Sequence, residues 1–171
     1  GDHTTLCCIP DTAMGKAKLL VKEDGVLAGV DIALRVFKKF DPELKVDVLM
    51  HDGGTIKKGD IVFYVEGETQ SLLQTERLVL NLMQRMSGIA TQTRKYVKLL
   101  DGLHTRVLDT RKTTPGLRII EKMAVKIGGG VNHRIGLFDM ILLKDNHVDF
   151  AGGIDKAIQR AKDYCRAKGK E

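Results

Sequence analysis

The chain has 171 residues, of which 43% are hydrophobic and 29% are charged, and its net charge is +6 at pH 7. This composition predicts a folded globular protein, and since no apolar run approaches the ~18 residues of a membrane span, we expect a cytoplasmic protein with no membrane contact. Three cysteines, two of them adjacent, exclude a disulfide framework and a zinc spacing, and the absence of tryptophan argues against a base-stacking nucleic-acid module.

The first hundred residues are predicted to form an α+β sandwich domain. Residues 15–30 alternate apolar and polar side chains on both sides of an Asp-Gly pair, which is typical of an antiparallel hairpin. Apolar spacing predicts a short helix from Asp31 to Phe40, and residues 45–67 return to strands. From Ser71 to about Leu100 the period is helical again, so we expect a long helix that bridges to the rest of the chain.

Residues 101–171 alternate strand, loop and helix, as βα units do in a parallel sheet or barrel. Apolar runs at Val107–Leu108 and at residues 140–143 are predicted strands, and Thr114 is the predicted N-cap of the helix between them. Two βα units cannot close a barrel of eight. The predicted fold class is therefore α/β, with a sandwich domain at residues 1–100 and the first part of an incomplete α/β barrel at residues 101–171, in a fragment of a longer protein.

Cationic side chains concentrate between residues 105 and 147, a stretch with eight Lys and Arg residues and only four Asp and Glu residues. Those that follow a predicted strand or lie beside a loop are Arg111, Lys112, His133, Arg134 and Lys144. The carboxyl ends of strands are where α/β barrels and open α/β sheets place their ligand-binding groups. This stretch is therefore predicted to bind an anionic ligand, with Arg forks holding carboxylates and Lys acting as a point charge.

Three other cations, Arg118, Lys122 and Lys126, recur every four residues on a predicted helix and are expected to be solvated. No phosphate-binding glycine loop, dinucleotide fingerprint or chelating histidine pair is present. The residues therefore favour group transfer driven by positioning and charge stabilisation rather than by a covalent nucleophile.

Four segments of the chain resemble the quinolinate phosphoribosyltransferase family. They are the opening GDHTT, the helix TERLVLNLMQRMSGIAT, and the loops DTRKTTPGLR and GGGVNHRIGLFDMILLKDNH. The resemblance implies phosphoribosyl transfer from phosphoribosyl pyrophosphate to quinolinate with decarboxylation, which gives nicotinate mononucleotide in NAD biosynthesis. The open alternatives are a related pyridine-carboxylate phosphoribosyltransferase, a non-catalytic paralogue of the same fold and, more remotely, a basic nucleic-acid-binding module.

The same resemblance implies the roles of individual residues. The implied ligands of the two quinolinate carboxylates are Arg111, His133, Arg134 and Lys144. Lys112 and Thr110 are implied contacts of the phosphoribosyl donor, and Arg111, Lys112 and Lys144 are the implied catalytic residues.

The resemblance also implies a homodimer. Arg77, which taken alone would be a surface residue, is implied to reach into the neighbouring subunit's site. The implied cofactor is Mg²⁺, with its ligands and the 5′-phosphate loop expected outside this chain. We therefore expect this chain to hold only the quinolinate-binding half of a site and to lack turnover by itself.

Overall fold

A computed structural model describes residues 1–170, which fall into two compact units, residues 1–133 and the residues from Arg134 on. The first unit contains, in order, α1 (His3–Cys8), β1 (Met14–Leu20), β2 (Gly25–Val26), α2 (Val30–Phe40), β3 (Lys45–Val48), β4 (Thr55–Ile56), β5 (Ile61–Glu68), α3 (Thr69–Leu99) and α4 (Arg118–Ile127). The second contains α5 (Asp145–Ala151) and α6 (Ile154–Ala167). This mixture of helices and strands confirms the predicted α/β class.

Strand β5 is the centre of a three-stranded antiparallel sheet of order β1-β5-β3. Val62, Phe63 and Val65 of this strand are buried in the main hydrophobic core. The ring of Phe63 meets that of Phe37 on α2 edge to face, with centroids 5.8 Å apart and planes at 87°. Aromatic pairs favour this geometry because a positive ring edge meets a negative ring face, so the contact fixes α2 on the sheet.

The hairpin predicted for residues 15–30 is wrong, because β1 and β2 pair with different strands. β1 lies antiparallel to β5, whereas β2 pairs with β4. The Asp24 carboxylate accepts a hydrogen bond from Lys58 N at 2.8 Å, and Val26 N donates to the Thr91 hydroxyl on α3 at 2.8 Å. A two-stranded hairpin is marginal by itself, so these long-range contacts outweigh the local Asp-Gly signal.

Helix α3 is the spine of the first unit and confirms the long helix predicted from the sequence. Besides Ser71, its buried residues follow one stripe of nearly heptad spacing: Leu72, Thr75, Val79, Met83, Met86, Ala90 and Thr93. The earlier part of this stripe joins the core of the sheet, while Met86 and Ala90 belong to a second core with Ala124 of α4. One helix therefore packs against both the sheet and α4 within the first unit.

Helix α4 approaches α3 very closely at its carboxyl end. A Cβ atom added at Gly128 would lie 2.6 Å from the carbonyl oxygen of Ala90, too near for any side chain. Arg94 of α3 also donates from Nε to the Gly128 carbonyl oxygen at 2.9 Å. The start of the glycine run at residues 128–130, directly after α4, is therefore the point where the end of this helix packs against α3.

In the second unit, residues 140–143 form no strand, so that prediction is wrong. A strand needs a hydrogen-bonded neighbour, and the described residues supply none here. The exposed Phe150, 91% accessible, lies on α5 and helps to line a groove of about 600 Å³ between residues of α5, of α6 and of the segment before α5. Within residues 1–170, no helix combines the length and the apolar composition that crossing a membrane requires.

Candidate functional site

The site begins where two loop segments of the first unit lie side by side. Leu108 and Val131 form a single parallel bridge, with Val131 N donating to Val107 O at 2.8 Å and Asp109 N donating to Val131 O at 3.2 Å. The strand predicted at Val107–Leu108 is thus reduced to one bridge. The bridge still places the residues after Leu108 next to those after Val131, as neighbouring parallel strand ends would be.

Asp109 joins these two segments to α4. Its carboxylate pairs with the Lys122 ammonium, accepts from His133 N at 2.8 Å and accepts from the Asn132 side-chain amide at 2.6 Å. The same Asn132 amide nitrogen donates to the carbonyl oxygen of Lys122 at 2.7 Å. The side chains of the ion pair are only 5% (Lys122) and 6% (Asp109) exposed. The expectation that Lys122 is solvated is therefore wrong, because a buried ammonium requires a partner and Asp109 provides it.

The segment from residue 110 to residue 114, which we call the cationic loop, carries Arg111 and Lys112. Lys112 is exposed, and its backbone N–H donates to the Thr110 hydroxyl at 3.1 Å in a local turn. Arg111 is half-buried, and its Nε is a buried donor without a hydrogen-bond partner within the described chain. An unpaired buried N–H is costly, and a guanidinium fork matches a carboxylate or phosphate. Arg111 thus has a buried donor that an anionic oxygen can satisfy.

The end of the cationic loop is held by Glu121 and Arg85. The carboxylate of Glu121 pairs with the Arg85 guanidinium and accepts from Thr114 N at 3.3 Å, while Arg85 also donates to the Thr114 hydroxyl at 2.5 Å. Burial raises the pKa of Glu121, but the hydrogen bonds from Arg85 and Thr114 outweigh it and hold that pKa below its usual value. The prediction that Thr114 is the N-cap of α4 is wrong: the N-cap is Leu117, whose backbone N–H donates to the Thr114 carbonyl oxygen at 3.0 Å, so that a turn separates Thr114 from the helix.

Of the two other cations expected to be solvated, one also contacts the loop. Arg118 is half-buried and donates to the Thr113 hydroxyl at 3.3 Å and to the Arg111 carbonyl oxygen at 3.4 Å. Lys126 is exposed, as expected. The first two turns of α4 therefore support the cationic loop from several directions.

Two predicted site residues, Arg134 and Lys144, lie in the second unit. Arg134 is buried, at 8% exposure, and its guanidinium donates to the Met140 carbonyl oxygen at 3.3 Å. Lys144 is an exposed residue at the N-terminus of α5, and its backbone N–H donates to Nδ1 of His147 at 3.0 Å. Both residues therefore have defined local surroundings.

Arg77 lies elsewhere in the first unit, on the exposed face of α3. It lines a groove of about 640 Å³ together with residues 19–25 and the α3 residues Leu80 and Gln84. None of Thr110, Arg111, Lys112 or His133 lines that groove. Within one chain, Arg77 thus lines a groove to which these four residues do not contribute.

The supporting residues Arg85, Glu121 and Lys122 were not identified from the sequence. Glu121 carried a signal, because it lies four residues after Leu117 and three before Ala124, beside the apolar stripe of α4, where a carboxylate needs partners. Lys122 lies off that stripe, and only the tertiary structure reveals its partner. Among residues 1–170 no group of three or more histidine, cysteine, aspartate or glutamate side chains is placed to hold a metal ion.

Comparison with family models divides the chain in two. The model described as quinolinate phosphoribosyl transferase, N-terminal domain, matches residues 2–87, and the corresponding C-terminal domain matches residues 89–170. Together the two models account for nearly the whole chain.

Individual relatives give the same result. A quinolinate phosphoribosyltransferase [decarboxylating] from Nicotiana tabacum is 47% identical over 165 residues, which cover 96% of this chain and 46% of that protein. A chloroplastic nicotinate-nucleotide pyrophosphorylase [carboxylating] from Arabidopsis thaliana is 45% identical over 171 residues, which cover 100% of this chain and 49% of that protein. The crystal structure of NadC from Streptococcus pyogenes is 44% identical, with a TM-score of 0.91, over 96% of this chain and 58% of that one. The chain thus spans about half the length of the curated relatives it matches.

Proposed function

Because the chain belongs to the quinolinate phosphoribosyltransferase family, we propose that it takes part in decarboxylating phosphoribosyl transfer to quinolinate, the reaction that its relatives' names describe. The observation that carries the proposal is the buried, unpaired Nε of Arg111 in a loop whose neighbouring Lys112 is exposed. A dicarboxylate at neutral pH brings two negative charges and needs fixed donors of this kind.

The reaction requires positioning and charge stabilisation more than proton transfer. The bond from the ribose anomeric carbon to pyrophosphate breaks, and the quinolinate ring nitrogen forms the new bond to that carbon. The bond to the adjacent carboxylate then breaks, carbon dioxide leaves, and the electron pair left on the ring carbon is stabilised by the quaternary nitrogen until a proton from solvent takes its place. Cations such as Lys112 stabilise the departing pyrophosphate.

The roles of the other residues follow the family motifs. We propose His133, Arg134 and Lys144 as further carboxylate ligands, Thr110 with Lys112 as the contact of phosphoribosyl pyrophosphate, and Arg111, Lys112 and Lys144 as the catalytic residues. A divalent ion such as Mg²⁺ would neutralise pyrophosphate charge, but the described residues offer no group to hold it, and no step is assigned to it. The division at residue 100 and the cytoplasmic location also stay predictions.

Quinolinate binding by the 171-residue chain tests the proposal, with titration calorimetry as the measurement. We expect binding to quinolinate to exceed binding to nicotinate, which lacks the second carboxylate, and Arg111→Met to weaken it at least about tenfold, as loss of a charged hydrogen-bond donor does. Arg106→Met removes an exposed cation just before the site and should leave the affinity unchanged. Equal affinity for the two acids would favour the related pyridine-carboxylate transferase, and no effect of Arg111→Met would contradict the assignment.

A homodimer is the second part of the proposal, supported by the separation of Arg77 from the cationic loop and by the exposed apolar residues Leu73 and Leu80 on the same helix. If Arg77 serves the neighbouring subunit, each site combines Arg111 of one chain with Arg77 of the other. A homodimer of the Arg77→Met chain and a homodimer of the Arg111→Met chain then both lack a complete site. Random mixing should then restore about a quarter of the wild-type quinolinate sites, because half of the dimers are mixed and each has one intact site. No restoration on mixing would refute this use of Arg77.

A further inference from the structure

The cationic loop is held at both ends by two consecutive residues of α4. At its start, Lys122 pairs with Asp109, and at its end, Glu121 accepts from Thr114 N and binds the Arg85 that reaches the Thr114 hydroxyl. Consecutive helical side chains point about 100° apart, so neighbouring positions of one helix can reach both ends of a five-residue loop.

We propose that Glu121 and Lys122 are positioning residues that hold Arg111 and Lys112 in the arrangement that binds the ligand. Neither residue needs to touch the ligand, since each acts through the loop. The inference rests on the proposed function of the loop as a dicarboxylate site, and it adds the device that sets the geometry of that site.

The bonding around Asp109 favours positioning over simple stabilisation. Its two oxygens receive donors from three places: the Lys122 side chain on α4, the His133 backbone and the Asn132 side chain. Such directional bonds fix the start of the cationic loop relative to His133. An apolar replacement of a buried ion pair often gives equal or greater stability but has no such directionality.

The position of the cationic loop matters for Arg111 in particular. Its Nε is already buried and lacks a hydrogen-bond partner, so this N–H has neither water nor a protein acceptor within the described chain. A displacement of about 1 Å is enough to lose bidentate geometry and most of the benefit of a prepared site. The residues that set the position of the loop should therefore affect affinity without contacting the ligand.

Limited digestion with trypsin tests the loop without any ligand. Trypsin cleaves after Arg and Lys, and cleavage after Arg111 or Lys112 requires the loop to open, at a rate that follows the open population. We expect Lys122→Met to raise cleavage in the loop at least about tenfold, while cleavage near the exposed Lys168 is unchanged. The matched control is Lys126→Met, an exposed lysine one turn further along α4, which should digest like the wild type.

A milder variant guards against loss of folding. Thr114→Val changes an exposed residue and removes only the hydroxyl that Arg85 contacts, so the fold should persist and loop cleavage should rise about threefold. Wild-type cleavage rates in both Lys122→Met and Thr114→Val would overturn the inference. If Lys122→Met does not fold, the Thr114→Val result decides.

Calorimetric titration with quinolinate then connects loop order with the ligand. At a temperature where circular dichroism shows the variant folded, Lys122→Met should bind quinolinate at least about tenfold more weakly than Lys126→Met. Faster loop cleavage combined with wild-type affinity would also overturn the inference, because a merely structural role predicts that result. If the wild-type chain binds no quinolinate, the proposed function fails, and with it the claim that Glu121 and Lys122 position the ligand-binding residues. The cleavage rates still report separately whether α4 orders the cationic loop.

Discussion

Replacing Lys122 with methionine should destabilise the protein far more than the loss of an ordinary lysine. Methionine keeps the length of the aliphatic chain and removes the ammonium, which leaves Asp109 as a carboxylate with a side chain only 6% exposed. Removing one partner of a buried ion pair costs about 3–5 kcal/mol, because the remaining charge is desolvated and uncompensated.

The surroundings of Asp109 place the expected cost at the lower end of that range. Its carboxylate retains the donors of His133 at 2.8 Å and Asn132 at 2.6 Å after the substitution. We therefore expect a loss of about 3 kcal/mol in the free energy of unfolding, or a fall of about 9 °C in Tm for a chain of this size.

Urea denaturation followed by circular dichroism at pH 7 measures this loss, with Lys126→Met as the control. That exposed lysine should change the free energy of unfolding by no more than about 0.5 kcal/mol. Adding Asp109→Asn to Lys122→Met removes the unpaired carboxylate charge and should recover at least half of the lost free energy of unfolding. The reasoning is refuted if Lys122→Met and Lys126→Met are equally stable, or if the double variant is less stable than Lys122→Met.

Three further predictions concern other contacts. Because the folded-state pKa of Glu121 lies below its usual 4.5, its contribution to stability is complete above that pH and is lost as the pH falls through the folded value. Glu121→Gln should therefore flatten the decline in unfolding free energy as the pH falls below 4.5. Gly128→Ala should cost about 1–3 kcal/mol because its methyl group collides with the Ala90 carbonyl oxygen, whereas Gly88→Ala, at a helical position with open space, should gain about 0.5–1 kcal/mol in the same denaturation assay. The Asp52 carboxylate accepts from Val30 N at 2.9 Å where the N-cap Gly29 supplies no side chain, so Asp52→Ala should cost about 1 kcal/mol, and an unchanged urea midpoint would contradict this capping role.

Elements with a strong apolar period were predictable from the sequence. Helix α2 begins at Val30 rather than Asp31, and α3 begins at Thr69 rather than Ser71, differences that fall within ordinary fraying of helix ends. Both helices bury one regular stripe of side chains, so the spacing of apolar residues along the sequence is enough to predict them. The pairing of strands was not predictable in the same way, since β1 finds its partner β5 more than forty residues away while a local Asp-Gly signal favours a hairpin.

The charged residues show a similar limit. The cationic loop could be singled out from the sequence because its cations directly follow a short apolar run, which is a local pattern. The supporting contacts of Lys122 with Asp109 and of Arg85 with Glu121 join residues 13 and 36 positions apart, and no helical or strand period relates such positions. Helical spacing without tertiary contacts treats Lys122 and Lys126 alike, although one is buried and the other exposed.

Helix α3 restricts how a chain of this kind can be divided. The two family models meet between residues 87 and 89, inside a helix of 31 residues and about 46 Å. Met86 and Ala90, both fully buried, flank that junction and belong to the core shared with α4. A gene break at the junction would give two products, each with half a helix and an uncovered apolar stripe. Separate chains that end or begin at this junction would therefore each expose apolar surface that the intact α3 buries.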